Sequence, residues 1–168
     1  MLKHSLISAA ALLSPLLVAS AQTTDASPTD VVYALFDAMR AGDGAAARDL
    51  IHQPDSSALN RMQADGTLRT GAFERWTNWL DEQEQGDADE QIFAVEAQEF
   101  GTLATVWAPF TLHYKDELVG CGVNMFTLGR IDDRWKIIAG IDTQADTPCE
   151  TFESDYLADN DLDKVLYE

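Results

Sequence analysis

The stretch from Leu103 to Thr143 constrains most strongly what this chain can fold into. Three runs rich in Val, Ile, Phe, Trp, Tyr and Thr are separated by polar breaks at Lys115-Asp116-Glu117 and Arg130-Ile131-Asp132-Asp133. Such residues suit a pleated, largely buried surface, so the runs predict successive strands of an antiparallel meander. Upstream, the apolar period changes. Val31, Val32, Leu35, Phe36 and Met39 recur at helical spacing and predict a helix starting at Pro28 or Thr29, capped by Thr29 and ended by Ala41-Gly42-Asp43-Gly44. A shorter helix is expected over 45–51, and a third from 71 to 85 with Phe73, Trp76, Trp79 and Leu80 on one face. Residues 55–71 read as a loop with one short strand at 67–69, and 91–100 alternate as a single further strand. Helices followed by strands, without alternation, indicate an α+β fold with a mainly antiparallel sheet.

The ends read differently from this domain. Lys3 and His4 precede an apolar run, Leu6 to Val18, and Ala19-Ser20-Ala21 has the form of a cleavage site. That run is too short for a bilayer, which needs about 20 residues, so 1–21 is expected to be a signal peptide cleaved after Ala21. The resulting organisation is a signal peptide at 1–21, a linker at 22–28, one domain at 29–149 and an acidic tail at 150–168, with the protein periplasmic or secreted. A formal charge of −18 repels phosphate backbones and anionic lipid, which excludes nucleic acid and, after cleavage, a membrane as partners. Two acidic blocks, Asp81 to Glu90 and Glu150 to Glu168, read as solvated surface.

Cys121 and Cys149 form an even pair in a chain expected to be exported, which favours a disulfide over free thiols or a nucleophile. No HExxH, CxxC, GxSxG, Walker or GxGxxG pattern occurs, so no metal and no cofactor are implied.

The order of elements, with a first helix ending in Ala41-Gly42-Asp43, an aromatic third helix and a meander closing on Trp135-Lys136-Ile137-Ile138, resembles the nuclear transport factor 2-like (NTF2-like) superfamily. That superfamily includes ketosteroid isomerases, SnoaL-like cyclases and lumazine-binding-like proteins. Cys121 to Asn124 and Asp142-Thr143 are similar to a strand and a closing dipeptide of exported bacterial members. The resemblance implies a cone, in which three N-terminal helices pack on a curved sheet around an apolar cavity, and it implies a homodimer. It also places Asn124 where the isomerases carry an acid that stabilises an enolate oxygen. Their tyrosine and base carboxylate fall on Leu35 and Leu59, which can do neither job.

With Asn124 facing inward, strand parity predicts Gly122, Phe126 and Leu128 inward and Cys121, Val123 and Met125 outward. A two-residue turn near Lys115 would bring Trp107, Thr111 and His113 to the inner side, and alignment of the last strand puts Ile138, Gly140 and Asp142 inward with Trp135 and Ile137 outward. The candidate site is then Asn124, Asp142 and His113 as polar or catalytic groups, walled by Tyr33, Trp76, Trp79, Trp107 and Phe126. Three functions follow as expectations. The cone binds a small apolar or aromatic ligand; or it is an acid–base lyase, isomerase or cyclase with His113 or Asp142 as proton acceptor and Asn124 as oxygen stabiliser; or it is an interaction module with a filled cavity.

Overall fold

The computed structural model describes residues 26–160; the expected signal peptide and the last eight residues of the acidic tail lie outside them. Helix α1 spans Pro28–Ala41. Its cap is Ser27 rather than Thr29: the Ser27 hydroxyl accepts from the Asp30 N–H while the Asp30 carboxylate accepts from the Ser27 N–H, a reciprocal box with Pro28 opening the helix. Gly42, at φ 67°, ends it in the left-handed region that glycine tolerates best. Asp43 caps α2, Gly44–Leu50, by accepting from the Ala46 N–H.

Next come β1 (Ala58–Met62), β2 (Leu68–Arg69), α3 (Phe73–Leu80), β3 (Ala88–Ile92) and β4 (Glu96–Phe100). The meander follows as β5 (Leu103–Tyr114), β6 (Glu117–Ile131) and β7 (Arg134–Gln144), and α4 covers Cys149–Asp159. The sheet runs β2-β1-β7-β6-β5-β3, with β4 also on β5. Among the described strands the β1–β7 pairing is the parallel one and the others are antiparallel.

Four elements differ from their sequence expectation. Helix α3 stops at Leu80 because Asp81, Glu82 and Glu84 would load the negative end of its dipole with negative charge. The segment read as a loop holds β1, whose Ala-Leu-Asn-Arg-Met sequence has little strand character and is extended because it pairs with β7. The single strand expected over 91–100 is two strands, broken at 93–95 with Ala94 at φ 45°. That break lies opposite Pro109, which accepts from the Phe93 N–H but has no N–H to return. Finally, the first part of the acidic tail is helical, as α4.

Two β-bulges decide which side chains face the helices. The turn at Lys115-Asp116 has two residues, both at positive φ, and pairs Tyr114 with Glu117 and His113 with Leu118. Val119 is then skipped, so Leu112 pairs with Gly120 and Asn124 with Ala108 rather than Trp107. The bulge reverses parity. Ala104, Val106, Ala108 and Phe110 are buried, whereas Trp107 is 44% exposed on the other face beside Met125. Thr111 pairs with Cys121 and shares that outer face. On β7, Ile138 is skipped between the pairs Thr127–Ala139 and Leu128–Ile137. Trp135 and Ile137 are therefore in the core and Ile138 is not, while Gly140 and Asp142 face inward as parity predicted.

The core lies between this face and α1, whose Val32, Leu35, Phe36 and Met39 are almost wholly buried with Val106, Phe126, Leu128 and Ile137. On the opposite face, Cys121 and Cys149 form the disulfide, with Cα atoms 5.4 Å apart. It starts α4 against β5 and β6, where Phe152 and Tyr156 meet Phe93 edge to face and the Trp107 indole N–H donates to the Tyr156 hydroxyl at 3.0 Å. Among the described residues no helix is long and apolar enough to cross a membrane. A Cys121→Ser/Cys149→Ser variant is expected to lose about 3–4 kcal/mol, the chain entropy of this loop, and to shed α4 from the sheet. Urea unfolding with and without reductant measures the first, and protease sensitivity at Phe152 the second.

Candidate functional site

The apolar stripe of α1, the aromatic face of α3 and the concave side of the sheet meet around a cavity of about 350 Å³. Leu35 and Phe36 come from α1, Phe73, Trp76 and Trp79 from α3, Leu59 from β1 and Phe126 from β6. Phe36 and Phe126 meet edge to face with centroids 6.0 Å apart, as do Phe73 and Trp76 at 6.2 Å. Gly140 makes room for this wall: a β-carbon there would stand 3.0 Å from Phe73 and 3.2 Å from Leu59 and Phe126.

Four polar side chains form the floor. Arg61 on β1 pairs across the sheet with Asp142 on β7, which pairs with Asn124 on β6. Directly opposed residues project on the same face about 5 Å apart, so the three side chains make a row. The next position in that row, Ala108, adds no bulk. Arg61 grips Asp142 through Nε, at 2.8 and 3.1 Å, and through a second guanidinium nitrogen. This bond pushes the Arg61 pKa above its ordinary value. Asp142 is thus an anion already neutralised.

Glu90 on β3 is the carboxyl group of the floor without a cation on it. Its Oε1 accepts from the Asn124 amide at 2.6 Å. Burial pushes its pKa up to about 7, with the Asp142 charge acting the same way, against the Asn124 bond and the Arg61 charge. Near neutral pH Glu90 can therefore both hold and release a proton, and the second Asn124 N–H is available to an oxygen in the cavity.

Of the residues expected from sequence, Asn124, Asp142, Trp76, Trp79 and Phe126 line this cavity. Tyr33, Trp107 and His113 do not. Tyr33 is 45% exposed because it sits one helical step, about 100°, off the stripe of Val32 and Leu35. Trp107 lies under α4 through the bulge at Val119, as described above. His113 pairs across β5 with Asp89, whose carboxylate turns to Arg40 at 2.6 Å, away from the cavity. Leu35 and Leu59 line the wall as two aliphatic side chains. Glu90 and Arg61 join the site beyond the residues expected from sequence. For Glu90 the signal is present, since Ala88, Glu90 and Ile92 extend the strand alternation back into the acidic block. For Arg61 there is none, because β1 owes its extended form to a partner 81 residues away.

The family described as "Putative lumazine-binding" matches residues 24–141. No curated protein matches the chain. An NTF2-like protein from Shewanella oneidensis shares 21% identity over 70% of this chain and 99% of its own, with a TM-score of 0.52. A second, from Shewanella baltica, shares 14% over 71% and 91%, at 0.52. A "putative dehydratase from the NTF2-like family" from Streptomyces avermitilis shares 16% over 70% and 92%, at 0.56. At such identities the common property is the fold, a helix-covered, curved, mainly antiparallel sheet.

Glu90 makes stability depend on pH with a definite sign. Its pKa rises from 4.5 to about 7 on folding, so the folded state holds the proton where the unfolded state has released it. The stabilisation is complete below pH 4.5 and is lost as pH rises to about 7, by about 3 kcal/mol at most. Glu90→Gln is expected to remove this slope and to exceed the natural protein in stability at pH 8, as read from urea midpoints across pH. Asp142→Asn, which leaves Arg61 without its anion and relieves Glu90 of a neighbouring charge, is expected to cost about 2 kcal/mol and to move the remaining slope to lower pH.

Proposed function

The chain belongs to the lumazine-binding-like family, and on that premise we propose that its cavity binds one small, mostly aromatic ligand. The observation that carries this reading is the division of the cavity into an apolar wall and a polar floor. The wall offers Trp76, Trp79, Phe36 and Phe126 to a flat, apolar body, and the floor offers Asn124 and Glu90 to a single polar group. Pockets of this size commonly fix a ligand's orientation with a few polar groups in an apolar lining. An interaction module with a filled cavity is disfavoured by the 350 Å³ between the helices and the sheet. The sequence reading of an exported chain is supported by the Cys121–Cys149 disulfide and remains part of the proposal, as does the homodimer.

A second reading is acid–base catalysis, and here Glu90 replaces His113 and Asp142 as the proton carrier. His113 is off the cavity, and Asp142 is held by Arg61. A carboxyl group with a pKa of about 7, bonded to a neutral amide, is suited to removing a proton beside a carbonyl and returning it to a leaving oxygen. The Asn124 amide would steady the oxygen on which charge develops. A fold relative described as a dehydratase is in keeping with such chemistry.

The ligand-binding reading is tested by thermal shift with 2-naphthol, a neutral two-ring probe. At 100 times its dissociation constant it is expected to add about 2.7 kcal/mol, several degrees for a domain of this size, and Trp76→Ala should abolish the shift. Failure of this and other two-ring neutral aromatics to raise the melting temperature would count against an aromatic ligand.

A further inference from the structure

In a chain with 29 acidic and 11 basic residues, a basic side chain without a carboxylate beside it is conspicuous. Arg40, Arg48, Arg61, Lys115, Arg134 and Lys136 each stand in an ion pair. Arg69 and Arg75 do not: neither has a partner among the described residues, and both are exposed. These two arginines, on the consecutive elements β2 and α3, both reach the rim of one cavity.

The β-ladder adds an independent observation. Arg69 pairs directly with Arg61 across β1 and β2. Like charges so placed repel, and only Arg61 is neutralised, by Asp142. The cavity thus has opposite ends of opposite character. Its floor offers an anion no free cation, since Arg61 is taken up by Asp142 and Glu90 adds an acidic group beside Asn124, whereas its rim carries two guanidinium groups without a carboxylate.

Building on the reading that the cavity binds a small ligand, we propose that this ligand is an aromatic carboxylate, its carboxylate held at the rim by Arg69 and Arg75 and its neutral end directed at Asn124 and Glu90. Guanidinium groups present paired N–H donors that match a carboxylate's two oxygens. Both arginines line the cavity itself, which favours a small molecule over an acidic protein surface. The overall charge of −18 works against anions, so selectivity for one must originate locally, at these two side chains.

The test is calorimetric titration of the mature protein with 2-naphthoate and with 2-naphthamide, which share rings and size and differ in charge. The natural protein is expected to bind naphthoate about ten-fold more tightly. Arg69→Gln/Arg75→Gln should bring naphthoate down to the level of naphthamide and leave naphthamide unchanged. Its melting temperature should equal or exceed that of the natural protein, because the Arg61–Arg69 repulsion is relieved. Equal affinity for the two probes in the natural protein, or a preference that survives in the double variant, would overturn this inference while leaving the ligand-binding reading intact. Binding of neither probe would overturn both.

Discussion

The register of β6 against its two neighbours governs most of what this molecule presents. Fifteen residues long, β6 carries the core residues Phe126 and Leu128, the cavity amide of Asn124 and the outer cysteine Cys121. Because side chains alternate with a period of two, each skipped residue sends everything beyond it to the other face. The skip at Val119 turns Ala108 to the cavity and Trp107 to the outside; the skip at Ile138 puts both Asp142 and Trp135 on the inner face of one strand. Without the first, an indole would fill the space that Asn124 now faces. Without the second, β7 could contribute to the floor or to the core, but not to both.

That geometry sets up the electrostatics. Three carboxyl or amide groups converge in a low-dielectric space, where charges are tolerated only when paired. Asp142 meets this condition through Arg61, its neighbour in the parallel ladder. Glu90 meets it differently, with a neutral amide and a raised affinity for its proton. The difference between the two acids gives the cavity an anchored anion and a mobile proton side by side. An uncompensated buried carboxyl destabilises the fold, and such expense is a common mark of a site kept for its chemistry.

The outer face follows another logic. The concave side is closed by α1 and α3, and among the described residues α4 is the helix that lies on the convex side of the sheet. Helix α4 has little amphipathic character of its own and buries no residue completely. Its position depends on the disulfide at its first residue and on the aromatic cluster of Phe93, Phe152 and Tyr156. Phe93 is available to that cluster because it stands in the break opposite Pro109, so a proline in one strand indirectly provides the seat for a helix some 40 residues further on, at Cys149.

What the sequence by itself determined is the set of elements whose signal is local. The stripe of α1, the three strands of the meander, the aromatic face of α3 and the α+β order are all legible, because apolar period and turn chemistry act over a few neighbouring residues. The pairing of Cys121 with Cys149 is legible for a related reason, there being no other cysteine to choose. Only the tertiary structure decided which face of each strand meets the helices. A bulge leaves no mark in composition, so Trp107, Thr111, His113, Trp135 and Ile137 each fell on the wrong side of a parity argument that was otherwise sound for Asn124, Phe126 and Asp142. Likewise β1, and with it Arg61 and Leu59, exists because a strand 81 residues later offers it hydrogen bonds. Glu90 lay between the two cases: its alternation was local, but its neutral partner, its burial and hence its proton affinity are properties of the assembled sheet.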